Sequence, residues 1–337
     1  MTISNFAQSL ATFVLKDTAS EIADVVCFLF NQSYSLSQLP ADWCKANTIV
    51  PIFKKGAKQD PNNYRPVSLT VALCKVMKHV IFRSIMQHLE HNNILYSKQK
   101  NQKIILAKPT SCTLLNLAKN LNEGSEIDLQ IFDFSKAFDK VPHQRLLSKL
   151  NHYEIQGKTL AWINSWLTER FQRVVVDGEA SSFVKVTSGV PQGTVLGPLL
   201  FLLFINDVHE NLDSTLRLFA DDALLYRSIN TMNDSVILQN DIDKLVSWSK
   251  TWQMQFNVTK CHTMRISRKK EPVLMDYYID GQKLSPVKNH PYLGVVLSND
   301  LRWNSHVENL AVKANKSLGL IARRNLYPCS EITKRLM

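Results

Sequence analysis

The sequence predicts an α+β fold, and three observations carry that expectation. Short apolar, β-branched runs bounded by Gly, Pro and Asp turns are interspersed with longer segments of three- and four-residue apolar periodicity. Of the 337 residues, 45% are hydrophobic and 20% charged, with 10 Gly and 12 Pro, a composition that excludes disorder and collagen-like repeats. No internal repeat, low-complexity tract or linker divides the chain, so its parts share one framework.

Taken in order, residues 5–36 place Ala, Leu, Phe and Val on one helical face, and Pro40 stops the helix. Residues 46–53 suit a strand, turned by Lys54-Lys55-Gly56. After the loop Pro61-Asn62-Asn63-Tyr64-Arg65-Pro66, residues 67–89 read as helix and 95–112 as a basic loop or disturbed segment. Residues 129–134 form a buried strand, followed by a helix through about 150 and another over 158–167. Residues 173–176 and 182–186 form a hairpin around Asp177-Gly178. The stretch from Gly189 to Gly197 opens a helix that runs to about Asp207. Residues 216–220 and 223–226 are strands about an Asp221-Asp222 turn, 234–252 an amphipathic helix, 262–297 short strands, and the tail from Ser305 helical.

Six cysteines (27, 44, 74, 112, 261, 329) lack any C-x-x-C pair, which points to reduced, mostly buried thiols in the cytoplasm or nucleus. The adjacent Cys261-His262 is poor spacing for zinc. No apolar run approaches the roughly 20 residues of a membrane span, so no membrane partner is expected. The net charge of +11 suggests a polyanionic partner, and it is uneven. Residues 1–124 carry a net +7, residues 125–264 a net −3, and residues 265–337 a net +7.

Carboxylates in the acidic middle sit at strand tips. Asp133 follows Leu129-Gln130-Ile131-Phe132, and Asp221-Asp222 divide two apolar runs. Rigid placement of such oxygens is what a divalent-metal site needs, and adjacent like charges call for a cation. With Asp133, the pair would hold two Mg²⁺ ions, one activating an attacking oxygen and one bridging triphosphate oxygens. Asp-Asp alone equally suits an ordinary turn.

The surrounding words distinguish these readings. Phe132-Asp133-Phe134-Ser135-Lys136-Ala137-Phe138-Asp139, then Ser188-Gly189-Val190-Pro191-Gln192-Gly193-Thr194-Val195-Leu196-Gly197-Pro198, then Phe219-Ala220-Asp221-Asp222, resemble motifs A, B and C of reverse transcriptases. More narrowly, they resemble polymerases of jockey-like and chicken-repeat-like non-LTR retrotransposons. Pro51-Ile52-Phe53-Lys54-Lys55-Gly56, Asn63-Tyr64-Arg65-Pro66-Val67-Ser68-Leu69, Lys260-Cys261 and Tyr292-Leu293-Gly294-Val295 extend the resemblance over nearly the whole chain.

The resemblance implies a right-hand polymerase core with an antiparallel-sheet palm. Fingers would occupy 1–124, palm 125–297 (reverse transcriptase domain about 35–297), and a partial thumb 298–337. It implies RNA-directed DNA synthesis, with RNA template, DNA primer and deoxynucleoside triphosphates as partners and two Mg²⁺ ions, replaceable by Mn²⁺, as cofactors. Asp133, Asp221 and the Phe134 carbonyl become metal ligands with Asp222 adjoining, and Lys260 a general acid for pyrophosphate. Lys54, Arg65, Gln192 and Gly193 become nucleotide contacts, and Phe138 a ring against the sugar 2′ carbon that selects deoxynucleotides. Core packing remains the alternative for Phe138, and exposed charge for Lys54 and Arg65. Asp139 reads as a cap or hydrogen-bond acceptor. Tyr292-Leu293-Gly294 would support the primer, and Lys313, Lys316, Arg323 and Arg324 would track duplex phosphates. Trp248 and Trp252, four apart, read as core.

Three departures stand out. Residues 99–106 replace the usual Gln-His-Gly-Phe-like word, Lys78 stands where glutamate is usual, and neither an endonuclease domain nor a Gly-Pro-Asp opening is present. The expectation is a partial element protein that relies on a separate endonuclease or a pre-existing nick. The rival readings are a catalytically silent nucleic-acid-binding remnant and an intron-type maturase, the latter disfavoured for want of a maturase-like segment.

Overall fold

The computed structural model describes residues 13, 15–40, 43, 47–54, 56–95, 109–269 and 273–325, with backbone alone at 47, 48, 109–114, 324 and 325. Helices α1 (Ala19–Leu36), α2 (Ala72–His91) and α3 (Pro109–Asn122) precede a central strand β3 (Glu126–Asp133). Strands β1 (Asn47–Phe53) and β2 (Tyr64–Leu69) lie between α1 and α2. After β3 come α4 (His143–His152), α5 (Gly157–Thr168), β4 (Phe171–Val176), β5 (Glu179–Ala180), β6 (Val184–Lys185) and α6 (Leu196–Phe204). Then follow β7 (Thr215–Phe219), β8 (Asp222–Ile229), α7 (Met232–Trp252), β9 (His262–Ile266) and the two-residue strands β10 (Tyr278–Ile279), β11 (Gln282–Lys283) and β12 (Ser285–Pro286). The hairpin β13 (Asn289–Tyr292) and β14 (Val295–Ser298) leads into α8 (Asn304–Asn325).

The central sheet runs β12-β9-β3-β8-β7, with β3 antiparallel to both neighbours. Strand alternation sends Ile127, Leu129 and Ile131 to one face, where they pack with Leu117, Leu121, Leu224, Tyr226, Met264 and Ile266. Phe132 faces the opposite layer with Ala223, Leu225 and the helical residues Leu200, Phe204, Leu238 and Ile242. Burying both faces holds β3 rigidly, and its C-terminal tip is where Asp133 emerges half-buried.

A second sheet runs β2-β1-β4-β5, with β6 also on β4. Its β1 pairs antiparallel with β2 and parallel with β4, so it draws strands from both sides of residue 124. Residues 67–69, read from sequence as helix, belong to β2, because pairing with β1 through Pro66 opposite Pro51 continues to Thr48 opposite Leu69. The helix starts at Ala72. Residues 109–112, read as loop, begin α3, while 96–108 lie outside the described residues. Residue 18 interrupts the first helix, and 1–12 also lie outside.

The turn expected at Asp177-Gly178 forms, but its second strand is β5 and not residues 182–186, because β6 instead returns to pair with Phe171 and Gln172. Trp248 and Trp252 pack edge-on against Phe204, with the Lys149 ammonium over both indoles, as core rather than stacking platforms. Of the described cysteines, Cys74 and Cys261 are buried and Cys27 is exposed, all unpaired. Among the described residues, no helix is long and apolar enough to cross a membrane.

Candidate active site

The register of two neighbouring strands assembles the carboxylates. Asp133, the last residue of β3, lies opposite Asp222, the first of β8. The β7–β8 turn is therefore Ala220-Asp221 and not Asp221-Asp222, since Asp222 already pairs with Phe219. Ala220 takes φ 51°, a left-handed conformation that a non-glycine residue holds only under constraint, and it carries Asp221 out beside its neighbour. Loss of hydration, then the Asp221 and Asp133 charges, push the Asp222 carboxyl from 3.8 up to about 6.

A second segment clamps the other side of Asp133. The Asp133 carbonyl accepts from the Asn257 N–H at 2.7 Å, and the Ser135 N–H donates to the Gln255 carbonyl at 2.8 Å. These flanking bonds make the Phe134–Phe256 bridge without using the Phe134 carbonyl, and the two rings stack at 4.8 Å. A short turn over Val258–Lys260 then brings the Lys260 ammonium to 3.3 Å from Asp133 Oδ2. The neighbouring Cys261 is buried, and burial pushes its thiol up to about 11, which leaves it a poor metal ligand.

The loop 188–195 is bonded to the segment after β3. The Ser188 hydroxyl donates to the Asp139 carbonyl (2.9 Å), the Gly189 N–H to the Val141 carbonyl (2.8 Å), and the Val190 N–H to the Phe138 carbonyl (2.7 Å). Gly189 has φ 87°, and a Cβ there would meet the Asp139 carbonyl oxygen at 2.6 Å, so the approach requires glycine. His143 Nε2 donates to the Gly189 carbonyl at 2.9 Å; burial lowers its pKa, with Arg170 adding to the shift against that hydrogen bond. The Arg170 guanidinium donates to the same Gly189 carbonyl at 3.5 Å, and neither it nor His143 was visible as a loop support in the sequence, where nothing marks them off from ordinary polar residues.

Gln192 ties β2 to the turn that follows β3. Its carbonyl accepts from the Ser68 N–H of β2 at 3.0 Å, and its amide donates to Asp139 Oδ1 at 3.3 Å. A Cβ on Gly193 would touch Val67 at 3.0 Å. Phe138 stacks on Phe201 at 4.6 Å and stays half-buried. On the β1–β2 hairpin, Lys54 and Arg65 are exposed, and the Lys54 charge reaches Asp139; Lys55 lies outside the described residues.

The more distant candidates occupy the C-terminal elements. Leu293 (φ 48°) and Gly294 (φ 85°) form the β13–β14 turn while Tyr292 is buried behind it. Lys313, Lys316 and Arg323 are exposed on α8; the Arg324 side chain lies outside the described ones.

Among the described residues, no three His, Cys, Asp or Glu side chains are grouped closely enough to hold a metal ion. One Asp133 oxygen is turned to Lys260 instead. The donors at the strand tips are nonetheless carboxylate oxygens, the kind a hard divalent cation takes, and at Asp222 burial, then the Asp221 and Asp133 charges, disfavour the ionised form in the absence of a cation.

A family model described as reverse transcriptase (RNA-dependent DNA polymerase) matches residues 52–297. The chain is 27% identical over 316 residues to the RNA-directed DNA polymerase from mobile element jockey of Drosophila melanogaster, covering 89% of this chain and 34% of that one. It is 28% identical over 322 residues to the probable RNA-directed DNA polymerase from transposon X-element of the same species, with shares of 89% and 34%. The chain thus spans about a third of the length of these curated relatives. Among solved structures, apo telomerase from Candida tropicalis truncated from its C-terminal domain aligns with a TM-score of 0.49 and 12% identity, over 84% of this chain and 59% of that one. With the match to residues 52–297 taking in every carboxylate described above, the chain belongs to the reverse transcriptase (RNA-dependent DNA polymerase) family.

Proposed function

We propose that this chain transfers deoxynucleotidyl groups from triphosphates to a primer 3′-hydroxyl on an RNA template, as the polymerase core of a non-LTR retrotransposon. The observation that carries this reading is the β3–β8 register, which sets Asp133 opposite Asp222 with Asp221 in the adjoining turn. Residues 1–124 act as fingers, 125–297 as palm and 298–337 as part of a thumb.

The family uses divalent metal generally. Here Asp133, Asp221 and the Phe134 carbonyl would hold two Mg²⁺ ions, with Asp222 adjoining and Mn²⁺ as a substitute. Bound there, the ions would activate the primer hydroxyl and offset triphosphate charge. The 3′-hydroxyl gives its proton to water as its oxygen attacks the α-phosphorus, and the bond to pyrophosphate breaks. Lys260, placed beside Asp133 by the short turn at Val258–Lys260, donates a proton to the leaving pyrophosphate. Lys54 and Arg65 bind the triphosphate; Arg65 suits bidentate phosphate contact. Phe138, fixed by its stack on Phe201, excludes a ribose 2′-hydroxyl. Gln192 and Gly193 line the nucleotide, Tyr292-Leu293-Gly294 supports the primer, and Lys313, Lys316, Arg323 and Arg324 follow duplex phosphates. A nicked DNA end inside the cell supplies the primer 3′-hydroxyl.

Primer extension on an RNA template with Mg²⁺ tests the reading. Extension by the wild type that Asp221→Ala abolishes is the expected result. A folded wild type that binds duplex in a salt-sensitive way yet extends nothing would establish the silent remnant instead.

A further inference from the structure

The carboxylate of Asp139 plays no part in the chemistry set out above, yet it is the side-chain partner of Gln192. We propose that Asp139 is a positioning residue: it fixes the orientation of the Gln192 amide toward the incoming nucleotide and thereby sets nucleotide affinity. The inference rests on the polymerase reading.

Gln192 is held at both ends. Its backbone carbonyl is tied to β2 through Ser68, and its side chain to the segment after β3 through Asp139. An ionised carboxylate only accepts, so the amide must turn its NH₂ toward Asp139 and its oxygen away. Without that partner, the two ends of the amide become nearly equivalent and the side chain regains rotamer freedom.

The Asp139 backbone is secured independently of its side chain. Its N–H donates to the Lys136 carbonyl at 2.9 Å, and its own carbonyl accepts from Ser188 at 2.9 Å beneath Gly189. Changing the carboxylate therefore leaves the loop 188–195 with its anchors. Burial raises the Asp139 pKa, whereas the Gln192 hydrogen bond and the Lys136 and Lys54 charges favour its ionised form.

Single-nucleotide incorporation on an RNA template tests the proposal with Asp139→Ala, Asp139→Asn, Gln192→Ala and the Asp139→Ala/Gln192→Ala double variant. Asp139→Ala should raise KM for the deoxynucleotide about tenfold, the scale of one charge-assisted hydrogen bond, and change kcat by less than about threefold. Asp139→Asn keeps an acceptor and should recover most of the loss. The double variant should match Gln192→Ala alone, because both changes remove one interaction. An unchanged KM, a fall in kcat alone, or additive effects would overturn the assignment.

A second readout needs no activity: the ¹⁵N side-chain resonance of Gln192, identified by its loss in Gln192→Ala, should shift in Asp139→Ala. If the wild type extends no primer, the polymerase reading fails. The resonance still decides whether Asp139 holds Gln192, and an unmoved signal refutes it.

Discussion

Lys78 and Arg170 lie against one indole: the ammonium is 5.6 Å and the guanidinium carbon 5.7 Å from the centre of the Trp166 ring. They are 0% and 4% exposed, and among the described residues neither forms an ion pair with a carboxylate. Lys78 donates to the Thr70 hydroxyl at 3.0 Å, while Arg170 Nε finds no acceptor. Burial pushes Arg170 down to about 10; it also lowers Lys78, and Arg170 adds to that shift against an opposing Cys74 interaction. Two buried cations thus share the Trp166 indole, with no carboxylate paired to either among the described residues.

Lys78→Met should therefore stabilise the fold by about 1–4 kcal/mol, and Lys78→Glu should do so through Arg170. The folded ammonium titrates below its unfolded value of 10.5, so between the two the unfolded chain binds the extra proton. Wild-type stability from this group rises with pH across that window, and the advantage of Lys78→Met shrinks toward its upper end. Urea unfolding at neutral and alkaline pH measures both gaps; equal gaps would rule out the buried charge as the cause.

Gly189→Ala meets two obstacles, a positive φ and the Asp139 carbonyl 2.6 Å from the new Cβ. Gly178 shares the first (φ 92°) but has nothing within 4 Å. The expected losses are about 3 kcal/mol or more at 189 and about 1 kcal/mol at 178. Denaturant midpoints for the two variants check this, and equal losses would show that the Asp139 carbonyl yields freely.

The carboxylates and the strands that carry them were legible because an apolar run ending in Asp has one simple arrangement: a buried strand with its acid at the tip. The pairing of Asp133 with Asp222 was not, because register depends on residues about ninety positions apart. Residues 67–69 show the same limit. Their side chains suit a helix start, and only β1 alongside makes them a strand. Asp139 read correctly as a hydrogen-bond acceptor, but its partner Gln192 is set by the closure of the loop 188–195 over it. His143 and Arg170 gave no local signal because their roles depend entirely on what folds against them.

Behind the carboxylates, the buried Asp128 is held by a two-pronged Arg265 contact at 2.7 and 2.8 Å and by the Tyr277 hydroxyl at 2.6 Å. Removing the cation strands that charge, so Arg265→Met should cost about 3–5 kcal/mol. Lys250, whose 2.6 Å pair with Asp280 is exposed at both ends, should tolerate Met for less than about 1 kcal/mol. Thermal unfolding of both variants tests the contrast, and similar losses would contradict it.

Asp222 gives the pH test of the metal-free site. Its carboxyl, raised from 3.8 to about 6, binds in the folded state a proton that the unfolded chain has already released between those values. This group therefore favours the fold most below the lower value and costs stability as pH rises through the upper one. Asp222→Asn removes that cost. In a chelator near neutral pH, the variant should be the more stable by about 1 kcal/mol, allowing for screening of this exposed side chain, and the gap should close near the lower value. Saturating Mg²⁺ should reverse the order at neutral pH, because a cation that binds the folded carboxylates stabilises the wild type by mass action. Paired melts with chelator and with Mg²⁺ decide it. A variant less stable than the wild type in chelator would mean that burial and the Asp221 and Asp133 charges do not disfavour the ionised Asp222, and the case for a cation at the strand tips would lose its electrostatic ground.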